Sequence, residues 1–141
     1  MMRPTDAKQR FSEARVARLA TVDASGVPHL VPIVFVVIGE VIYSAVDAKP
    51  KRSPELRRLA NVSINPAVCL LADHYDDANW SRLWWARADG VGTVLPPDSA
   101  EATRAIDSLA ERYPQHREQR PPGPVLAVEV SRWSGWAANE L

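Results

Sequence analysis

Val16-Ala17-Arg18-Leu19-Ala20-Thr21-Val22, Asp23-Ala24-Ser25-Gly26 and Val27-Pro28-His29-Leu30-Val31-Pro32-Ile33-Val34-Phe35-Val36-Val37 run consecutively, and together they decide the fold. The first run is short and apolar, the break is polar and ends in glycine, and the return is longer and rich in β-branched residues. Two strands joined by a tight turn fit that pattern. Gly39-Glu40 makes a second tight turn, and Val41 to Val46 is a third strand. The spacing predicts a meander of three antiparallel strands, the beginning of a barrel or of a sheet closed on itself.

Working outward, Thr5 to Glu13 reads as a helix capped by Thr5 or Asp6, with Ala7, Phe11 and Ala14 on one side. Pro54 to Asn61 reads as a second helix, with Leu56, Leu59 and Ala60 as its apolar side, and Asn65-Pro66 stops it. Val68 to Ala72 is continuously apolar, which predicts a strand buried on both faces with Cys69 as a small buried hydrophobe. Asp73 to Asn79 is an acidic loop, and Trp80 to Leu95 holds a strand broken near Gly90 or Gly92. Pro97-Asp98-Ser99 opens a helix carried by Ala102, Ala105, Ile106, Leu109 and Ala110, ending at Tyr113-Pro114. Gln115 to Pro124 reads as a connection, and Val125 to Val130 as the final strand. The expectation is mainly β with peripheral helices: six strands in one domain over residues 1–141.

Lys and Arg number 17 against 17 Asp and Glu, a balance that argues against nucleic acid as the main partner. No apolar run approaches the roughly 20 residues that cross a bilayer, so no membrane is expected. Met1-Met2-Arg3-Pro4 leads into a polar segment, not an export signal, and a cytoplasmic protein is expected. The single cysteine excludes a disulfide within the chain.

Three constellations can carry chemistry. Lys49, Lys51, Arg52, Arg57 and Arg58 cluster where a strand gives way to a helix, a place suited to a phosphorylated ligand. Most such runs are simply solvated helix faces. Pro28-His29-Leu30-Val31-Pro32 lies on the second strand, and a proline there implies a sheet edge or a bulge. A planar ligand along that edge could use the N–H and C=O groups of Val31 to Phe35; alternatively, the prolines merely protect an edge from aggregation. His29 either touches such a ligand or packs. The third constellation runs from Asp73 to Arg87. Its His74 and aspartates follow no metal-ligand spacing, so no metal is expected. Trp80, Trp84 and Trp85 with Arg82 and Arg87 make an apolar surface with charge at its margin. Neighbours on a strand face opposite ways, so one tryptophan needs cover that a dimer interface can supply. No Ser–His–Asp set, glycine-rich phosphate loop or Cys-x-x-Cys pair is present, and no catalytic side chain is assigned.

Ala17 to Pro32, Tyr43-Ser44 leading to Lys49, Arg58-Leu59-Ala60-Asn61 and Asn65-Pro66-Ala67-Val68 together resemble the pyridoxamine-phosphate-oxidase-like flavin and deazaflavin proteins. Asp47-Ala48-Lys49-Pro50-Lys51-Arg52, Asp73-His74-Tyr75-Asp76-Asp77 and Trp80 to Trp85 resemble the actinobacterial branch that uses coenzyme F-420. The resemblance implies a six-stranded antiparallel split β-barrel of the FMN-binding kind, working as a homodimer. It places the cofactor ring near Val31, Pro32, Ile33 and Val34, within reach of His29, and Ser44 beside it. It gives the phosphate to Lys49, Lys51 and Arg52, with Arg58 added from the helix, although Pro50 and Pro54 depart from the family pattern. Trp84 or Trp85 of the partner subunit would wall the ring. The implied activity is hydride transfer between coenzyme F-420, an 8-hydroxy-5-deazaflavin, and a small or planar organic substrate, with the proton coming from solvent or from a nearby group such as Tyr75 or His29. An FMN-dependent oxidase or reductase and a non-enzymatic flavin or haem binder stay open as alternatives.

Overall fold

The computed structural model describes residues 1–46 and 55–139; the side chains of Glu55 and Leu56 lie outside that description. In chain order the elements are α1 (Pro4–Glu13), β1 (Ala17–Val22), β2 (Pro28–Ile33), β3 (Val36–Ile38), β4 (Val41–Ala45), α2 (Glu55–Ile64) and β5 (Ala67–His74). A single 3-10 turn at Trp80–Arg82 leads to β6 (Trp84–Leu95), α3 (Ala100–Arg112), α4 (Pro114–Glu118) and β7 (Val125–Ala137). Among the described residues the strands form one seven-stranded sheet in the order β2-β1-β5-β6-β7-β4-β3, antiparallel at every pairing.

The expected three-strand meander and the count of six strands are corrected here: there are seven among the described residues. The run from Val27 to Val37 is two strands, because the chain leaves the ladder at Val34 and Phe35. β1 and β2 pair through a turn in which Asp23 accepts from Ser25 N and Val27 N, and Gly26 takes φ +84°. β3 pairs with β4 instead, at the far edge of the sheet. A flat sheet of seven strands would hold its two edges about 29 Å apart at normal strand spacing. The three-residue step from Ile33 to Val36 spans at most about 11 Å. The sheet must therefore roll until its edges approach, and no ladder joins β2 to β3, so the roll stays open.

Inside the roll, Phe11 of α1, Leu19, Phe35, Ile42, Leu70, Ala86, Ala88, Leu126, Val128 and Trp133 form the main core. Phe11 packs between Phe35 at 4.8 Å and Trp133 at 5.4 Å, in tilted and edge-on arrangements that suit aromatic rings. A second cluster lies on the other side of β4 and β7, where Ala102, Ala105, Ile106 and Leu109 of α3 cover Tyr43, Ala45, Val125 and Ala127. Ser99 caps α3 by accepting from Ala102 N, as its position before the apolar run predicts.

Two-sided burial therefore belongs to Val125–Val128 on β7, not to Val68–Ala72. On β5 the residues alternate, leaving Leu71 39% exposed and Cys69 half-buried on the outer face rather than in the core. Smaller differences follow the same logic. α1 starts at Pro4 with Arg3 before it and no side-chain cap, β5 absorbs Asp73 and His74, and α4 occupies part of the expected connection. β7 continues to Ala137, because a bulge at Ser131 restores its alternation opposite Gly90. Gly90 allows this: a Cβ there would lie 2.3 Å from Glu129 O.

Candidate functional site

The expected site residues fall in two places. The first is the rolled edge. β2 borders the sheet, so the backbone groups on its free side meet no strand, as Pro32 at an exposed position predicts. Val31 turns inward and packs on the core, Ile33 is buried, and Val34 packs partly against the α3 cluster. Ser44, buried on β4, donates from Oγ to Val34 O at 2.9 Å and so ties one edge to the other. His29 pairs across the ladder with the buried Thr21, and its Nδ1 is buried with no hydrogen-bond partner among the described residues. Thr21 Oγ1 accepts from Asn61 Nδ2 of α2 at 3.0 Å. Arg58, three residues earlier on the same face of α2, is buried, whereas Arg57 is exposed. The solvated-face alternative thus holds for Arg57 and fails for Arg58. Lys49, Lys51 and Arg52 lie outside the described residues.

The second place is a groove of about 460 Å³ across the ends of β5, β6 and β7. Leu71, Tyr75, Leu83, Trp84, Trp85 and Trp136 give it an apolar lining, with Asp73, His74 and Arg87 at its margin. Trp85 pairs with Trp136 across the ladder on the outer face, while Trp84 leans inward onto the core. His74 stacks on Trp84 at 6.5 Å, and the Arg10 guanidinium sits 5.3 Å over the same ring. The polar groups around the groove are mostly committed to one another. Arg87 grips Asp89 through Nε and Nη2, Arg82 lies 3.6 Å from Asp76, and Tyr75 OH donates to Asp77 at 2.8 Å. Asp76 also accepts from Ala78 N and Asn79 N, so the acidic loop works as a turn.

Along the ladder β6 stands three strands from β2, about 14 Å at normal spacing. One chain therefore does not bring Trp84 and Trp85 onto the Val31–Val34 edge.

The crossing between β2 and β3 carries a cluster that the sequence did not announce. Phe35, with no strand beside it, has its carbonyl met by Arg112 Nη1 at 2.9 Å and by Tyr113 OH at 2.9 Å. Its N–H donates to the Tyr113 hydroxyl at 3.3 Å. Burial lowers the Arg112 pKa below the usual guanidinium value, with Arg15 adding in the same direction. Nearby, burial and the hydrogen bond to Glu101 push the Tyr43 phenol up to about 12. Trp136 was also missed, although the alternation Trp133, Gly135, Ala137 against Ser134, Trp136 is a strand signal.

A rolled antiparallel sheet whose edges are held together by a three-residue crossing, flanked by helices, defines a split-barrel protein. The chain belongs to the pyridoxamine 5'-phosphate oxidase family, whose profile matches residues 4–137. No curated protein matches it. A conserved hypothetical protein of Mycobacterium tuberculosis shares the fold at TM-score 0.74 and 21% identity, covering 98% of this chain and 86% of its own. HutZ, the heme storage protein of Vibrio cholerae, does so at TM-score 0.71 and 20% identity, over 96% and 95%. A FAD-binding protein of Mesorhizobium loti matches at 0.70 and 18%, over 95% and 94%. Among the described residues no helix is long and apolar enough to cross a membrane.

Proposed function

We propose that the chain is one subunit of a homodimeric oxidoreductase that passes a hydride between a flavin-type cofactor, coenzyme F-420 in our reading, and a small or planar organic substrate. The observation that carries this is the outer face of β5 to β7, where Leu71, Trp85 and Trp136 line an apolar groove that no other element covers among the described residues. A second copy laid on that face would cover Leu71 and bring its own tryptophans to the Val31–Val34 edge, joining what one chain keeps apart.

The residues of the edge fit a planar, anionic cofactor. The free rim of β2 offers backbone donors and acceptors, and His29 Nδ1 is a buried polar atom awaiting a partner. Arg58 is a buried cation on α2, and Lys49, Lys51 and Arg52 precede it closely in sequence, residue types suited to phosphate. The bound group supplies the hydride-carrying carbon. The chain's work is to orient the ring on β2, neutralise the phosphate, and exclude water with Trp84 and Trp85.

The visible spectrum of the purified protein, followed by titration with FMN and with reduced deazaflavin, tests the cofactor. Flavin peaks as purified would select FMN, a Soret band would select haem, and a colourless protein that binds deazaflavin tightly supports our reading. Failure of the reduced complex to reduce any of a broad panel of alkene, imine and quinone acceptors would sink the enzymatic claim. Light scattering should give twice the 15.6 kDa chain mass, and Leu71→Asp should return it to one chain. A wild-type monomer would refute the shared site.

A further inference from the structure

The β2–β3 crossing passes from one sheet edge to the other without a ladder, and two consecutive residues at the end of α3 hold it. Arg112 donates from Nη1 to Phe35 O at 2.9 Å and from Nη2 to Ala14 O, joining the crossing to the end of α1. The Tyr113 hydroxyl accepts from Phe35 N at 3.3 Å. Its single proton serves either Phe35 O at 2.9 Å or Arg15 O at 3.1 Å. Arg15 closes the circle by donating from Nη2 to Arg112 O at 2.9 Å, with its guanidinium 4.6 Å over the Tyr113 ring. The Arg112 guanidinium lies 5.0 Å over the Phe35 ring, and that ring is fully buried. Backbone carbonyls of three segments without strand partners, Ala14–Arg15, Phe35 and Arg112, thus meet in one knot. The residue just before Phe35 is Val34, whose carbonyl takes Ser44 Oγ.

We infer that Arg112 and Tyr113 are positioning residues: they clamp the crossing at Phe35 and so hold the Val31–Val34 edge and Ser44 in the arrangement that receives the cofactor. The fork of an arginine is required, because two carbonyls of different segments lie at separate nitrogens and an ammonium offers one point of charge. Phe35 could keep its ring in the core while its peptide swung free, so packing alone does not fix the edge. The clamp rests on contacts described above; only its consequence for binding rests on the proposed function.

The test uses Arg112→Lys, Arg112→Met and Tyr113→Phe in the full chain, with exposed Arg120→Met as control. Amide exchange without ligand reads the clamp, and titration with FMN and with reduced deazaflavin reads its consequence. The expected result is faster exchange at Phe35 through Ile38 and at Val31 and Ile33 in all three variants. Binding should weaken about tenfold in both Arg112 variants, the loss typical of one charged hydrogen bond, with no rescue by lysine. Tyr113→Phe, which removes one hydroxyl and keeps the ring, carries the test if the Arg112 variants do not fold. Wild-type exchange at Phe35 in Tyr113→Phe and Arg112→Lys would overturn the clamp. Accelerated exchange with unchanged affinity would overturn the positioning role. If the wild-type chain binds neither cofactor, the proposed function fails and the positioning role with it, and exchange alone then decides the clamp.

Discussion

Thr21 and Asn61 offer the sharpest test of how α2 is attached. Thr21 is 0% and Asn61 4% exposed, and the 3.0 Å bond between them joins β1 to the helix that carries Arg58. Around them, Leu59 and Val62 bury α2's apolar side, with Val62 so close to β6 that a Cβ on Gly92 would lie 2.8 Å from its Cγ1. Apolar packing holds the helix against the sheet, and the buried Thr21–Asn61 pair ties one face of it to β1. Thr21→Val is nearly isosteric but leaves the Asn61 amide without that acceptor in a buried setting, which costs about 1–3 kcal/mol. Asn61→Leu keeps the branching and the number of heavy atoms and leaves the Thr21 hydroxyl without its donor, at a similar cost. The double variant removes both polar groups, so it should cost less than the sum by roughly 1–2 kcal/mol. Urea unfolding of the four proteins measures this, and with a slope near 2 kcal/mol/M each single variant should lose about 1 M in midpoint. If the two single effects add without coupling, the bond does not orient α2. The argument for Arg58 as a placed cation would go with it.

Two further perturbations follow from the packing and the charges. Gly135→Ala should destabilise by about 1–3 kcal/mol in thermal or urea unfolding, since its Cβ would sit 2.8 Å from Trp85 O and 3.2 Å from Ala7 Cβ, where β7 meets α1; an unchanged midpoint would show that α1 can shift freely. Glu40 accepts from Lys8 and from the Trp133 indole at 3.2 Å, which hold its pKa below the ordinary 4.5. A depressed carboxylate stabilises above its unfolded value and loses that contribution as pH falls through the folded one. Glu40→Gln should therefore lower the melting temperature at neutral pH, and the gap to wild type should close below pH 4.5; a gap that widened in acid would reverse the sign.

Much of the architecture is legible in local chemistry. Asp23 and Gly26 build the first turn, Pro32 marks an edge, Ser99 caps α3, and Ala102, Ala105, Ile106 and Leu109 face one way. Each rests on contacts within a few residues, where sequence order and spatial order coincide. The candidate site is less legible. Arg57 and Arg58 are identical in type and adjacent, yet one is exposed and the other buried, because helix rotation separates them. Cys69 and Leu71 look like core in an apolar run, but α3 lands on β4 and β7 and leaves their face open.

By itself, the sequence determined most of the strand and helix segments, the turns at Gly26 and Gly39, and which family motifs accompany them. Only the tertiary structure decided that the strand from Val27 to Val37 divides at Phe35 and sends its halves to opposite edges of a rolled sheet. Alternation and β-branching describe one strand against one neighbour, and they are satisfied equally well on either edge. The partners that make the division hold, Arg112 and Tyr113, lie 77 and 78 residues along the chain from Phe35. No local pattern reports a bond that exists only after the sheet has rolled.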